Sequence, residues 1–405
     1  MNALLIAYFF PPFGQTSSRR SAGMTKYFPD FGCKPVVVTR EWTPDNGLYD
    51  PTIGIGLPEN IEIHRIPFEN DNTKLFPTFQ KRLYQTLLPH KNQHPFGKDA
   101  INNILEVIKQ NEIEIIWATF PPFDGLTLAK KISRLTGIPW VADLRDIYQF
   151  ADSWKSRLLL PLRIHSLNMC IRDANAIITV SEGFAETLNR RIKRKVHVVP
   201  NGFDHEFILP ERRYNYPKFE IVYTGGINIG NPDFRPLLDA LEKLCECKLM
   251  DKNDIIISFY GKGNEKRLKQ LYRHSFSSTI RNCQCVTNKE SIEIQTKALI
   301  LLQATRPGSG WMTSKIYEYL VARRPILAFP RDGTSIEKLL NETRAGVCCT
   351  TIDEIAFQLL KWYNEWKKTG DILWDGDVDK IMKFTRKEQA KQTVFVFEEV
   401  ISGCK

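Results

Sequence analysis

Gly308-Ser309-Gly310-Trp311-Met312-Thr313-Ser314-Lys315 runs as a glycine- and serine-rich turn into Ile316-Tyr317-Glu318-Tyr319-Leu320, and the apolar stretch Pro325-Ile326-Leu327-Ala328-Phe329 follows at once. The pattern predicts a helix over 313–322 and then a strand. A helix N-terminus offers free backbone N–H groups and the positive end of a dipole, so it is a ready anion site. Ser314 and Lys315 in the first turn would add a hydroxyl and an ammonium aimed at the same anion. Glu318 follows Lys315 by three positions and Ser314 by four, so the three share one helix face. A phosphate binder with a carboxylate one turn deeper suits a ligand that carries a diphosphate and a hydroxylated sugar, which is the shape of a nucleotide sugar. The alternative is an ordinary capped helix with a Lys–Glu pair on its surface. Two more glycine turns, Thr224-Gly225-Gly226 and Tyr260-Gly261-Lys262-Gly263, also permit close backbone approach to a ligand. Arg306 precedes the third turn and is either a phosphate contact or an unrelated surface arginine. In the first half, Phe10-Pro11-Pro12-Phe13-Gly14-Gln15 forms a similar turn, followed by Arg19 and Arg20.

The elements that must hold these turns are short apolar runs alternating with amphipathic stretches. Ala3–Phe10, Pro35–Thr39, Ile61–Ile66, Ile113–Thr119, Trp140–Asp143, Ala176–Val180 and Val196–Pro200 read as strands. Helical patterns lie between several of them, at Ser18–Phe31, Lys98–Asn111, Gly125–Thr136, Ser156–Arg172 and Ser181–Arg191. Continuous apolar strands alternating with helices imply a parallel sheet covered on both faces. After a polar linker at Leu209–Lys218 the pattern restarts, with strands at Glu220–Thr224, Asp254–Gly261, Ala298–Gln303, Pro325–Phe329 and Gly346–Cys349. Helices at Asn231–Leu249, Asn264–Arg273, Thr313–Ala322, Ser335–Asn341 and Ile352–Thr369 alternate with these, and a helical tail covers Asp379–Val400. The expected architecture is α/β, with two Rossmann-like doubly wound domains facing across a cleft. The domains are expected at residues 1–205 and 206–378, with a helix at 379–405 crossing back to pack on the first. Ligands in such sheets sit at the carboxyl ends of the strands.

A chain of 405 residues suits two domains of this kind. There is no apolar run long enough for a transmembrane helix. The apolar start, Met1 to Phe10, has no basic residues and is ended by Pro11-Pro12, so it reads as a buried first strand and not a signal peptide. Nine cysteines without such a peptide point to a reducing compartment, and none of the pairs Cys245/Cys247, Cys283/Cys285 or Cys348/Cys349 has zinc-site spacing. The net charge of +10 is spread evenly over both halves, which favours anionic ligands or an anionic membrane surface. No element clusters basic and aromatic residues as a nucleic-acid binder does. Lys74–Leu88 and Trp154–Arg163 mix leucines, aromatics and basic residues. Either could dock on anionic lipid; for the second, core packing is the preferred reading.

Taken in order, these segments resemble the family 4 (group 1) glycosyltransferases, which have the GT-B architecture. The resemblance rests on Tyr8-Phe9-Phe10-Pro11-Pro12-Phe13-Gly14, Thr119-Phe120-Pro121-Pro122-Phe123, Ala142-Asp143-Leu144-Arg145-Asp146, Val180-Ser181-Glu182-Gly183, Pro200-Asn201-Gly202-Phe203-Asp204 and Ser314-Lys315-Ile316-Tyr317-Glu318. It implies a retaining enzyme, of hexosyltransferase type, that moves a sugar from a nucleotide donor to a glycan or lipid-linked acceptor in cell-surface polysaccharide synthesis. The donor-binding set it implies is Gly14, Gly225, Gly226, Gly261, Gly263, Arg306, Gly310, Thr313, Ser314, Lys315 and Glu318. Catalytic roles fall to Lys315, Glu318 and Asp146, with Asp124, Asp143 and Arg145 on the acceptor side. For Asp143, Arg145 and Asp146, an internal Arg–Asp pair is the structural alternative. Asn201, Gly202 and Asp204 are read as shaping the domain crossover. No metal or other cofactor is expected; Asp375-Gly376-Asp377 stands alone near the tail, and Lys315 with a helix dipole can neutralise phosphate. The expected location is cytoplasmic, with peripheral contact to an anionic membrane surface. Many family members have a second glutamate eight positions before the one matched by Glu318, where this chain has Gly310. Many also have a basic residue soon after the glycine turn of the second domain, where this chain has Ile227-Asn228-Ile229 and Arg235 is the nearest candidate. Some place a histidine just past the Pro-Pro loop, where this chain has Asp124-Gly125-Leu126. These departures keep two alternatives open: a nucleotide-sugar 2-epimerase of the same fold, and a non-catalytic GT-B partner subunit.

Overall fold

The structure, a computed structural model, describes residues 1–14, 16–45, 49–50, 56–67, 97–147, 154–204, 206, 214–227, 233–261, 264–269, 271–308 and 310–403. The chain divides into two units, Met1–Gly202 with Arg386–Lys405, and Phe203–Thr385.

The first unit is built on β1 (Asn2–Ala7), β2 (Lys34–Arg40), β3 (Glu62–Ile66), β4 (Ile115–Phe120), β5 (Trp140–Leu144), β6 (Ala176–Thr179) and β7 (His197–Val198). They pair in parallel in the order β3-β2-β1-β4-β5-β6-β7. Every residue of β4 and β5 is buried, as expected for strands covered on both faces. The helices are α1 (Thr16–Tyr27), α2 (Gly97–Gln110), α3 (Phe123–Thr136), α4 (Trp154–Ile171) and α5 (Glu182–Ile192). The helix expected to run to Phe31 ends four residues earlier. Pro29 cannot supply the N–H an α-helix needs, so Phe28–Phe31 tighten into a 3₁₀ turn capped by Gly32 at φ 71°.

The second unit repeats the scheme with β8 (Phe219–Thr224), β9 (Ile255–Tyr260), β10 (Ile280–Cys283), β11 (Ile300–Ala304), β12 (Ile326–Phe329) and β13 (Gly346–Cys348). Their order is β10-β9-β8-β11-β12-β13, again parallel. Its helices are α6 (Arg235–Glu246), α7 (Glu265–Leu268), α8 (Asn288–Thr296), α9 (Lys315–Ala322), α10 (Ser335–Thr343), α11 (Ile352–Thr369) and α12 (Val378–Met382). One core packs Leu237 and Leu241 of α6 and Leu359 and Trp366 of α11 with Phe219 and Ile221 of the sheet. A second packs Tyr317 and Leu320 of α9 and Ile336 and Leu340 of α10 with Val222, Leu301 and Ala328. Strand β10 and helix α8 are additions to the sequence reading. The helix expected at 264–273 is only α7 followed by a 3₁₀ turn at Leu271–Arg273.

The tail is two helices, α12 and then α13 (Arg386–Gly403), and the passage between units falls at Thr385/Arg386. α13 packs in the first unit. Its Ala390, Val394, Phe397 and Val400 share a core with Leu5, Val37 and Trp117 of β1, β2 and β4. Phe397 meets Phe28 and Trp117 at ring centroid distances of 5.7 and 6.2 Å. Arg386 Nη1 donates to the Arg19 carbonyl at 2.6 Å, which fixes the start of α13 against α1.

No described helix is long and apolar enough to cross a membrane. Of the two stretches weighed for lipid contact, Lys74–Leu88 lies outside the described residues. In the other, Leu158 and Leu162 of α4 are 68% and 43% exposed, so these two leucines do not pack in the core as preferred.

Phe397 is fully buried between two aromatic rings near the end of the chain. Phe397→Ala should therefore destabilise the first unit by about 3–5 kcal/mol, a large-to-small loss in a packed core. Urea unfolding followed by tryptophan fluorescence checks this.

Candidate functional site

In each sheet the strand order reverses beside the first strand, between β1 and β4 and between β8 and β11. Such a switch point leaves a crevice beyond the carboxyl ends of the strands. In the second unit the chain segments at that point are the turn after β8 and the long connection from β11 to α9.

The turn after β8 is set by two glycines and one asparagine. Gly225 has φ +117°, a conformation that side chains with Cβ rarely adopt, and its N–H donates to the Tyr260 carbonyl at 2.6 Å. Gly261 lies so close that a Cβ there would be 2.2 Å from the Gly225 carbonyl oxygen. Buried Asn264 clasps the turn from both sides. Its Nδ2 donates to the Gly225 carbonyl at 3.2 Å, and its Oδ1 accepts from the Ile227 N–H at 2.9 Å. Asn264 was not among the residues singled out from the sequence, although it follows the second glycine turn directly. Gly263 lies outside the described residues.

Lys315 is the first residue of α9. Its ammonium rests against the turn, so close that a Cβ on Gly225 would lie 2.3 Å from Nζ. It also sits 4.0 Å from the centroid of the Tyr223 ring, a cation–π contact. Burial pushes its pKa below the ordinary lysine value, and the neighbouring Tyr319 and Glu318 only partly oppose this. Among the described residues no carboxylate lies within ion-pair distance of this ammonium. Ser314 is not in the first turn, as expected, but at the N-cap. It has helical backbone angles and no side-chain capping bond, and the Thr313 hydroxyl is buried without a partner. The Ile316 and Tyr317 amides donate to the carbonyls of Thr313 at 3.4 Å and Ser314 at 3.2 Å, so at the start of α9 it is the Ser314 and Lys315 amides that no described residue accepts.

Glu318 accepts from Gln295 Nε2 at 3.3 Å. Gln295 is fully buried at the end of α8, and its Nε2 also lies 2.9 Å from the Thr224 hydroxyl and 3.0 Å from the Ser291 hydroxyl, so its two N–H groups are shared among three acceptors. Thr224, the last residue of β8, in turn donates its N–H to the Tyr319 hydroxyl at 3.0 Å. Gln295 was missed with its helix. The signal was present: Thr287 and Glu290 form a capping box, a sequence pattern that marks a helix start. Gly310 lies buried at φ +60° and accepts from the Ser335 hydroxyl at 3.5 Å, and Arg306 stacks over Trp311 at 5.6 Å. Gly226 follows Gly225 in the same turn.

In the first unit the acceptor-side residues separate into distinct roles. Asp143 is wholly buried inside β5, and its two oxygens accept from Arg20 Nε and Nη2, each at 2.9 Å. Arg20 also reaches the Pro200 carbonyl at 2.9 Å. The internal Arg–Asp pair exists, then, but the arginine is Arg20 of α1 and not Arg145, and Asp143 has both oxygens engaged. Arg145 donates to the carbonyls of Pro121 at 2.8 Å, Phe120 at 3.4 Å and Ser17, and so braces the Pro-Pro loop against α1. Burial lowers its pKa to about 10. Asp146 stands exposed just past β5, with one oxygen accepting from the Ile147 N–H at 2.8 Å. Asp124 opens α3 beyond the end of β4, and burial raises its carboxyl pKa, with its own backbone N–H and Arg40 opposing. Arg40 donates to the Tyr8 hydroxyl at 2.6 Å and stacks on Trp42 at 4.5 Å. Gly14 lies half-buried between β1 and α1.

Asp239, Glu242 and His274 of the second unit come together as metal ligands would. The His274 ring, however, accepts the Phe276 N–H at Nδ1 (3.1 Å), which places the neutral ring's proton on Nε2, facing Asp239 at 3.0 Å. The arrangement is a hydrogen-bonded cap and leaves no ring lone pair for a metal.

Residues 18–207 match the model of Glycosyltransferase Family 4. No curated protein matches the chain. Among crystal structures the chain is similar to sucrose-phosphate synthase from Thermosynechococcus elongatus, at a TM-score of 0.65 and 13% identity over 99% of each chain. It is similar to HepE from Anabaena in complex with UDP-glucose, at 0.62 and 14% over 98% of this chain and 100% of that one. A TarM mutant from S. aureus, in complex with Fondaparinux, alpha-GlcNAc-glycerol and UDP, matches at 0.62 and 11% over 98% and 99%. At these identities the likeness is one of fold, and the fold is GT-B.

Two substitutions separate the roles read here. Gly225→Ala combines an unfavourable φ with a clash at Lys315 Nζ, and should cost about 1–3 kcal/mol of stability in the second unit. Asp143→Ala leaves the Arg20 guanidinium buried without its partner and should cost about 3–5 kcal/mol in the first. Denaturant titration of each variant against the parent protein checks both, and an unchanged midpoint for Asp143→Ala would remove its structural role.

Proposed function

We propose that the chain is a retaining glycosyltransferase that moves a sugar from a nucleotide-sugar donor to a glycan or lipid-linked acceptor, a reading supported by the match of residues 18–207 to the Glycosyltransferase Family 4 model. The observation that carries the donor reading is the Lys315 ammonium: half-buried, lowered in pKa, and without an anionic partner among the described residues. An ammonium in that state lacks one thing, a fixed negative charge, and a diphosphate supplies it. The amides of Gly226 in the glycine turn and of Ser314 and Lys315 at the start of α9, which no described residue accepts, add backbone donors beside it.

In the reaction the bond between the anomeric carbon and the diphosphate breaks while a bond to the acceptor hydroxyl forms. The leaving nucleoside diphosphate gains negative charge as this happens. A cation already in place stabilises that charge more than it stabilises the intact donor, so it accelerates the step. Glu318, held in position by Gln295, accepts hydrogen bonds from ribose or donor-sugar hydroxyls. Lys315 carries the charge that a metal would otherwise carry. In the first unit, Asp146 and Asp124 lie beyond the carboxyl ends of β5 and β4, where an acceptor hydroxyl could be oriented. Arg145 and Asp143 support that edge from within.

The acceptor is read as an intermediate of cell-surface polysaccharide synthesis. TarM with its glycan and glycerol ligands, and HepE with UDP-glucose, are the similar folds that support a glycan acceptor and a uridine donor. A cytoplasmic enzyme meeting its acceptor at an anionic membrane would use the diffuse positive charge and the exposed leucines of α4.

Incubation with a panel of UDP-, GDP-, ADP- and CMP-sugars tests the class: transferred sugar with free nucleotide supports it, whereas an epimerised donor or no turnover overturns it. Within the class, Lys315→Ala should weaken nucleoside diphosphate binding by roughly 10- to 150-fold, equivalent to about 1.5–3 kcal/mol for a charge-assisted hydrogen bond. A change under about twofold would end the Lys315 assignment. The pH dependence has a definite sign. Burial disfavours the charged form in the free protein, so stability rises as pH passes the lowered Lys315 pKa. Diphosphate binding favours the charged form and so takes up a proton in that range. Affinity should accordingly fall at a lower pH than an ordinary lysine would give, as calorimetry in buffers of different ionisation enthalpy can show.

A further inference from the structure

We propose that Gln295 is a positioning residue of the donor site, whose side-chain amide fixes the Glu318 carboxylate relative to the glycine turn after β8. The proposal rests on the reading of Glu318 as a donor ligand. Gln295 contributes from a helix, α8, that carries no other residue of the site, and its amide nitrogen spans two elements that do. It reaches Thr224 Oγ1 on β8, one residue before Gly225, and Glu318 Oε2 on α9. It is wholly buried, so it holds these groups without competition from bulk water.

The orientation of the amide is not free. An ionised carboxylate only accepts hydrogen bonds, so only the NH2 end of Gln295 can face Glu318. That choice leaves Gln295 Oε1 buried with no hydrogen-bond partner among the described residues. A glutamine serving packing alone would turn its oxygen towards the Ser291 hydroxyl, which can donate, the Thr224 hydroxyl being already given to Tyr319. Gln295 presents its nitrogen there instead. The pattern is that of a side chain whose orientation is dictated by the carboxylate, with the unsatisfied oxygen as the cost. The brace also bears on the phosphate side. Thr224 is bonded both to Gln295 and to the Tyr319 hydroxyl, so the last residue before the glycine turn is tied to α9 through two side chains. The amide itself meets the Glu318 carboxylate and the neutral hydroxyls of Thr224 and Ser291, and Tyr319 and Glu318 in turn act on the Lys315 ammonium.

The test is a double-mutant cycle read by nucleotide-sugar affinity. The probe is the tightest binder among UDP, GDP, ADP and their glucose conjugates. Gln295→Met removes the hydrogen bonds at nearly constant volume. It is expected to weaken sugar-nucleotide binding about 5- to 20-fold, the scale of one or two hydrogen bonds. In a Glu318→Ala background the same change should have under about twofold effect, because the carboxylate it positions is gone. Equal effects in both backgrounds would mean that Gln295 acts through packing, and would overturn the proposal, as would no effect in either. If Glu318→Ala alone leaves affinity unchanged, the donor role of Glu318 falls, and with it this proposal. Gln295→Glu gives a readout that a merely structural role would not produce, and it serves if Gln295→Met fails to fold. Two adjacent carboxyls cannot readily both ionise. In acid the introduced carboxyl donates its proton to Glu318 and takes over the amide's part, so binding should approach that of the parent protein. From about pH 5 to about pH 8 it should weaken at least fivefold relative to the parent as the shared proton is lost. A pH profile parallel to that of the parent protein would overturn the assignment.

Discussion

The Lys315 ammonium lies against the backbone of Gly225 with no room for a methyl group between them, and the edge of the second unit beside β8 is arranged around that contact. An ammonium can occupy the place where a Cβ would stand only when that residue is glycine. The approach fixes the ammonium in the turn, over the Tyr223 ring, instead of leaving it to swing into solvent as most lysines do. Each neighbour can be understood from that requirement. Gly261 leaves space for the Gly225 carbonyl, Asn264 clamps both ends of the turn, and Tyr319 anchors the strand residue that precedes it. An ammonium so confined loses hydration, and the face of an aromatic ring with the nearby Tyr319 and Glu318 offsets this only in part.

Much of this was legible in the sequence, for physical reasons that can be named. Parallel strands buried on both faces must be nearly continuous apolar runs, so β1, β4, β5, β8 and β12 stand out from their composition. Glycine turns at strand ends stand out because few other residues tolerate the backbone they need. The placement of Lys315 and Glu318 on one helix follows from spacing alone. What stayed hidden was whatever depends on contacts between distant segments. Asp143 and Arg145 sit two residues apart and suggested a local pair, yet one bonds to Arg20 on another helix and the other to three backbone carbonyls. Edge strand β10, with its exposed polar residues, has none of the apolar continuity that marks its neighbours. Helix α8 was announced only by its capping box, because its sequence Ser291-Ile292-Glu293-Ile294 alternates like a strand.

The two units share a scheme but use their first strands differently. In the second, the edge beside β8 concentrates glycine and one cation, which suits a ligand recognised by its charge. In the first, the edge beside β1 gathers Tyr8, Phe9, Phe13 and Trp42, with Phe9 stacked on Phe13 at 4.4 Å and Arg40 on Trp42. The same topology thus carries two chemically unlike edges, set by residues after β1 and β2 in the first unit and by the turn after β8 with the start of α9 in the second.

The last helix has a consequence for how the protein comes into being. α13 supplies Phe397 and its neighbours to a core otherwise made by the first two hundred residues. Domains generally fold in order as the ribosome delivers them. Here the unit whose synthesis starts first is completed last, after the whole second unit has emerged. Until then its sheet lacks a packing partner over β1, β2 and β4, and apolar surface there stays open. A prematurely terminated chain would retain every residue of the glycine turn after β8 and still lack part of the core on which the other unit depends.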